Sequence, residues 1–434
     1  MTVTAALRAS IEAAVDTGFE AQLDYTRKLV SFPSQRGEEF AIQDFLFRDW
    51  SERGFKMDRF EMCQAELVSH EGAGAFSPEH SEAPIVVGIH HPRTETGRSL
   101  ILQHHVDVVP LGPADMWEKA PYGGEIVGDW MYGRGSGDMK AGAAANVFAL
   151  EALKSIGLQP AATVYLQSVV EEESTGNGAL QTFLRGYTAD AALIPEPEEN
   201  KLVRACVGVL WFSVEVRGTP VHVREMGEGA NAIDAAYRVI GALREIEVKW
   251  NGEKDQHPEF LSDAHPINLN IGKIEGGDWG SSVPAWCRFQ VRVSIYAGQN
   301  AKQKFAEIED HIRSFARADR YLSQNPPQLV QNGFCAEGYV LERGSDAEKV
   351  LGLAHEAAFG APLETMMTAG YLDARVYALY NRIPTLCYGP VARNIHGFDE
   401  CVSLSSLRSV TKAMALFIAD WCGTEPVSDI ASQG

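Results

Sequence analysis

Five side chains that could ligate a metal each stand just past an apolar run: His105, Asp138, Glu173, Glu196 and His396. The first belongs to Leu102-Gln-His-His-Val-Asp-Val-Val-Pro110, which follows the apolar Ser99-Leu-Ile-Leu. Residues two apart in an extended segment share a side, so Asp107 can accept the ring N–H of His105 and leave the other nitrogen for a metal. Asp138 closes the glycine-rich Tyr132-Gly-Arg-Gly-Ser-Gly-Asp138 and precedes a helical pattern, where it can cap the helix or bridge two ions. In Glu171-Glu-Glu-Ser-Thr-Gly-Asn-Gly178 three adjacent carboxylates continue a buried strand, an arrangement that cations or protons must relieve. Glu196 sits between Pro195 and Pro197, and His396 lies in a turn after the last apolar run. Nitrogen and oxygen donors without a thiolate suit two borderline divalent ions such as zinc. One carboxylate on the metal and a neighbour acting as general base is the equipment of amide hydrolysis.

The elements that position these groups read as alternating strands and helices. Helical periodicity covers 5–31 and 38–53, strands are expected at 83–89, 99–105, 162–170 and 191–195, and a long helix follows Met139. This alternation predicts an α/β layer with a largely parallel sheet, and such sheets gather ligands at the carboxyl ends of their strands. From residue 207 the pattern becomes β-α-β-β-α-β, ending in an extended stretch at 328–331, the pattern of a small split sheet with two helices. After Asp346 the α/β character returns, with a helix to Phe359, another over 372–380 and a strand at 384–388. The expected division is a first catalytic part at 1–206, an insert at 207–332 and a second catalytic part at 333–434, with the last dozen residues frayed.

Composition narrows the function. The chain of 434 residues is 45% hydrophobic and 22% charged, a globular composition with length for two or three domains. A formal charge of −20 without a basic cluster argues against nucleic acid or an anionic membrane as partner. Seven dispersed cysteines without a C-x-x-C pair, no signal-like N-terminus and no apolar run near ~18 residues predict a reduced, cytoplasmic protein.

The ordered set His105-x-Asp107, Gly-Arg-Gly-Ser-Gly-Asp138-Met-Lys, Glu171-Glu-Glu173, Glu196-Pro and His396 resembles the M20 metallopeptidase and amidohydrolase family over about residues 20–420. The resemblance implies a zinc-peptidase-like catalytic domain with a mixed, largely parallel sheet, interrupted by a ferredoxin-like α+β lid or dimerisation domain. It implies two Zn2+ per subunit, replaceable by Co2+ or Mn2+, with Asp138 bridging them and a cis peptide after it. His105 and Glu196 would complete one site, Glu173 and His396 the other; Glu172 would be the general base and Asp107 would orient His105.

In the insert, Gly218-Thr-Pro-Val-His222 resembles the family's G-x-x-x-H, which implies that His222 stabilises the oxyanion in the partner subunit of a homodimer. Asn231, Arg292, Gly370 and Arg375, the last two in Gly370-Tyr-Leu-Asp-Ala-Arg375, would contact substrate, Arg292 through a carboxylate. His104 and Leu372 stand where the family usually has Gly and Thr. The function implied is deacylation of an N-acyl-L-amino acid or similar small amide, with a dipeptidase or carboxypeptidase as the alternative. A catalytically silent metal-binding relative would lack the base or the bridge, and Glu172 and Asp138 are both present.

Overall fold

The computed structural model describes residues 3–427. Its main strands, in chain order, are β1 (Lys56–Phe60), β2 (Ile85–His90), β3 (Leu100–His105), β4 (Val164–Val169), β5 (Ala191–Ile194), β6 (Gly208–Arg217), β7 (Leu269–Gly276), β8 (Trp286–Ile295), β9 (Gln328–Ala336) and β10 (Thr385–Cys387). A six-stranded sheet has the order β1-β2-β4-β3-β5-β10. Its β4-β3-β5-β10 part is parallel, and β2 and β1 continue it antiparallel. The mixed, largely parallel sheet expected from the alternating pattern is therefore present.

Every residue of β3 and β5 is buried, as strands covered on both faces require, and this explains their unbroken apolar runs. Helices α1 (Ala5–Val30), α2 (Phe40–Glu52), α3 (Ala141–Ser155), α4 (Ala232–Asn251), α5 (Ala301–Ala318), α6 (Asp346–Phe359) and α7 (Leu404–Trp421) complete the framework. The alanine-rich α3 packs on α1, α7 and β3, its small side chains allowing close approach. No helix among the described residues is long and apolar enough to cross a membrane.

The second sheet, β7-β8-β6-β9, is antiparallel throughout and follows the expected order β6-α4-β7-β8-α5-β9. One face, with Phe212, Val214, Phe289, Val291 and Val293, builds a separate core with α4 and α5. The other carries Trp211, Ser213, Gln290 and Arg292, paired across β6 and β8 as Trp211 with Arg292 and Ser213 with Gln290.

Three local expectations change. The strand expected at 328–331 runs on to Ala336, past the expected boundary at 332. Residues 404–421, given no element in the sequence reading, form α7, whose N-terminus Ser403 caps by accepting from the Ser406 N–H. The last dozen residues begin with Thr424–Pro426, paired antiparallel with Leu158–Pro160 rather than frayed; residues 428–434 lie outside the described residues.

Candidate metal centre and cleft

The parallel strands β3, β4, β5 and β10 end on one edge of the large sheet, and their following segments carry the candidate ligands. The His105 ring is fully buried, with Nε2 at 3.1 Å from Asp138 Oδ1, 3.6 Å from Glu196 Oε1 and 3.9 Å from Glu172 Oε2. His396 Nε2 stands 3.5 Å from Asp138 Oδ2 and 3.1 Å from Glu173 Oε2. Each carboxylate oxygen of Asp138 thus faces a different imidazole. Asp138 does not cap the helix: α3 starts at Ala141, and residues 136–140 form a wide turn with a cis Asp138–Met139 peptide.

The Asp107 reading needs a correction. The His105 Nδ1 lies 3.0 Å from the backbone carbonyl of Asp107, whereas the carboxylate Oδ1 is 3.6 Å away. The carboxylate instead accepts the Glu173 N–H through Oδ2 at 3.0 Å. Asp107 therefore orients His105 through its backbone and the next carboxylate loop through its side chain. His104 is turned away: its buried ring lies edge-on to Trp50, and burial pushes it down to about 3.

Three consecutive glutamates reach three different places because Glu171 adopts φ 68°, a left-handed turn rare for a side-chain-bearing residue. Its carboxylate, fully buried, accepts from Arg36 Nε (2.5 Å) and a second Arg36 nitrogen (2.8 Å), from the Ser81 N–H (2.9 Å) and from Thr175 Oγ1 (2.8 Å). Glu172 and Glu173 are released into the cleft.

Electrostatics set these groups apart. Burial raises the carboxyls of Glu172 and Glu196 well above the usual range, opposed by His105 and reinforced by their carboxylate neighbours. His105 is held well above its ordinary value: burial lowers it, but the charges of Glu196 and Glu172, the nearby Asp107 and the hydrogen bond to Asp138 outweigh that. Glu173 raises His396 in the same direction. Asp138 is held far below the usual range, since hydrogen bonds from both imidazoles outweigh its burial.

This donor set fits a divalent cation. Ligand atoms of His105, Asp138 and Glu173 all lie within 4.8 Å of one another. The buried Glu196 Oε1, aimed at the same place, has no hydrogen-bond partner among the described residues. Imidazole nitrogens and carboxylate oxygens without thiolate are donors that zinc accepts.

Glu400, given no role in the sequence reading, shapes the glycine-rich turn. It accepts from Arg134 (2.7 Å) and from the N–H groups of Gly135 (3.1 Å), Gly137 (3.0 Å) and Asp138 (3.1 Å). Only the fold reveals it, because its partners are some 260 residues away in sequence. Glu400→Gln, which cannot accept from all these donors with both atoms, should weaken metal affinity by about 10–100-fold, as loss of a supporting contact does. Competition against a chromophoric chelator measures this, and unchanged affinity would remove the role.

The centre opens into a cleft of ≈ 820 Å³ between the large sheet's edge and the free face of the small sheet. Asp138, Glu172, Glu173, Glu196 and His396 line one side; Trp211, Asn270, Gln290, Arg292 and Phe334 line the other, and Gly370 and Tyr371 the end. Arg292 and Gly370, two of the residues the resemblance implied for substrate, line this cleft.

Of the other three, Asn231 and Arg375 do not line this cleft, and His222 was implied for the partner subunit's cleft rather than this one. Asn231 caps α4, its Oδ1 accepting the Ile233 and Asp234 N–H groups, and does not line the cleft. Arg375 is buried among Glu337, Gly72 O and Tyr380, so its donors are consumed in packing. His222 is exposed on the small unit, its Nδ1 accepting the Arg224 N–H, and does not line this chain's cleft.

Residues 101–420 match the model of peptidase family M20/M25/M40. The N-formyl-4-amino-5-aminomethyl-2-methylpyrimidine deformylase of Bacillus subtilis is 26% identical over 444 residues, covering 95% of this chain and 97% of the relative. The succinyl-diaminopimelate desuccinylase of Dechloromonas aromatica is 25% identical over 403 residues, covering 89% and 95%. Among solved structures, the di-peptidase Dug1p of Saccharomyces cerevisiae shares the fold with a TM-score of 0.76 at 14% identity, over 96% of this chain and 98% of its own.

Proposed function

The chain belongs to peptidase family M20/M25/M40, and from that membership we propose that it is a dinuclear zinc amidohydrolase releasing the acyl group of a small N-acyl amine such as an N-acyl-L-amino acid. The observation that carries this reading is Asp138 set between His105 and His396 with Glu172 in the same cleft. His105 and Glu196 would hold one ion, His396 and Glu173 the other, with Asp138 shared. Bound there, the ions would polarise the amide carbonyl and acidify the attacking water.

Glu172 takes the proton from that water and returns it to the leaving amine. Its raised affinity for a proton suits a base that must also act as an acid. Arg292 holds the far end of the substrate, with two N–H groups already fixed on Ser294 Oγ (3.1 Å) and Ala369 O (2.9 Å). The exposed His222 serves the cleft of a second subunit in a homodimer. A monomer on sizing would remove that part. Seven unpaired cysteines, six of them buried, are consistent with work in the cytoplasm.

The relatives' printed names each carry a small acyl group, formyl in one and succinyl in the other, on different amines, so the decisive experiment is a panel that varies both halves. Zinc- or cobalt-loaded protein is offered N-formyl, N-acetyl and N-succinyl amines and amino acids beside dipeptides, and free amine is measured. Metal-dependent release from one acyl class is expected. Release from dipeptides alone would replace deacylation by the dipeptidase reading, and silence with both metals bound would overturn hydrolysis.

A further inference from the structure

Resting on the amide-hydrolysis reading, we propose that the amine half of the substrate carries a planar aromatic or heteroaromatic ring, stacked on a wall of Trp211, Phe334 and Tyr371. All three line the cleft that holds the metal centre. Trp211 and Phe334 lie 5.9 Å apart between centroids at 28°, and Phe334 and Tyr371 4.3 Å apart at 34°, a continuous tilted stack. Offset stacks of this kind extend readily to one more flat ring.

The wall is built rather than incidental. The β6–β9 register shifts between Leu210 and Phe212, beside Trp211, where β9 spends extra residues at Asn332-Gly333-Phe334. Such a bulge re-aims side chains, and here it turns Trp211 and Phe334 into the cleft. A second irregularity in β7, at Gly272, faces the same space.

The stack is also held over the carboxylate loop. A Cβ at Gly333 would stand 2.9 Å from the carbonyl of Ser174, next to Glu173, and 3.1 Å from Trp211. At the other end a Cβ on Gly176, whose φ is +72°, would stand 1.9 Å from the Tyr371 hydroxyl. That hydroxyl donates to Asp373 Oδ1 at 3.1 Å, so Tyr371 presents its ring rather than its polar end. A ring on this wall therefore lies beside Glu172 and Glu173.

Two sources supply such a ring, and Arg292 separates them. It stands opposite Trp211 in the β6–β8 register and lines the same cleft. An N-acyl aromatic amino acid would place its carboxylate on Arg292; an N-acyl arylmethylamine would leave it to a neutral ring acceptor.

The test compares matched N-formyl amides on the metal-loaded enzyme: benzylamine and pyridylmethylamine against cyclohexylmethylamine, and phenylalanine against cyclohexylalanine. The aromatic member of a pair is expected to have a kcat/KM about tenfold or more higher. Trp211→Ala should shrink that preference to about twofold by raising KM for the aromatic member, and Trp211→Phe should restore most of it. Preference in the amino-acid pair alone assigns the first source; preference in the methylamine pair assigns the second. Equal or reversed preference, or an equal effect of Trp211→Ala on both members, overturns the ring and leaves amide hydrolysis standing. If no amide is cleaved, hydrolysis fails separately, and calorimetry with the unreacted amides decides: tighter binding of the aromatic member supports the wall, and equal binding overturns it.

Discussion

Glu172→Gln is expected to lower kcat by about 10²–10⁴-fold, the usual contribution of a positioned acid–base group, while two metal ions per chain remain bound. The side chain lies in the cleft, 3.9 Å from His105 Nε2, and no hydrogen bond to either carboxyl oxygen is formed among the described residues. Its ligand-rich neighbours Glu173 and Glu196 keep their own contacts in the variant, so metal content by elemental analysis should not change. Glutamine keeps the shape and removes the titrating group, which separates proton transfer from packing. The pH profile supplies the second readout: with the base gone, the residual rate should lose the limb that reports its ionisation. More than about a tenth of the wild-type rate, with that limb intact, would show that another group moves the proton.

Several candidate residues of the cleft could be placed from the sequence because a legible apolar run leads to them: His105 ends β3, Glu172 and Glu173 come after β4, and Glu196 comes after β5. What the spacing cannot encode is direction. His104 and His105 are adjacent, and only the burial of one against Trp50 and the exit of the other toward Asp138 separates them. Glu171 belongs to the same run as the functional pair, yet its left-handed backbone delivers it to Arg36.

The support from Glu400 and the aromatic wall depend on contacts between distant segments and on bulges, neither of which has a period in the sequence. Asn231 and Arg375 show the converse case. Both match a pattern for substrate contact, and both are spent locally, one on a helix N-terminus and the other on Glu337 and Tyr380. The small sheet was legible in its β-α-β-β-α-β order but not in its free face, since alternation announces a polar side without saying what that side meets.

Metal removal is expected to destabilise the protein more at high pH than at low. In the metal-free centre the imidazoles of His105 and His396 are held above their ordinary value by the surrounding carboxylates. A raised imidazole stabilises the fold fully below its unfolded value near 6.5, and the contribution is lost as pH rises through the folded value. The carboxyls of Glu172 and Glu196 are also raised, by burial first, so above an unfolded value near 4.3 their ionisation opposes folding until the folded value is passed. Both groups act with one sign: the metal-free fold weakens as pH rises. Ligation runs the other way, because the imidazoles and carboxylates must lose their protons to bind, so metal affinity grows with pH. At free metal 100 times its Kd, one site adds about 2.7 kcal/mol, enough to raise Tm by several degrees. The gap in Tm between loaded and chelated protein should therefore widen from pH 6 to pH 9. Asp138→Asn, which takes the shared carboxylate from between the two imidazoles, should close most of that gap at every pH and lower metal content below two per chain. A gap that stays constant or narrows with pH, or an Asn variant that keeps both ions, would show that the cluster is not a metal centre organised around Asp138.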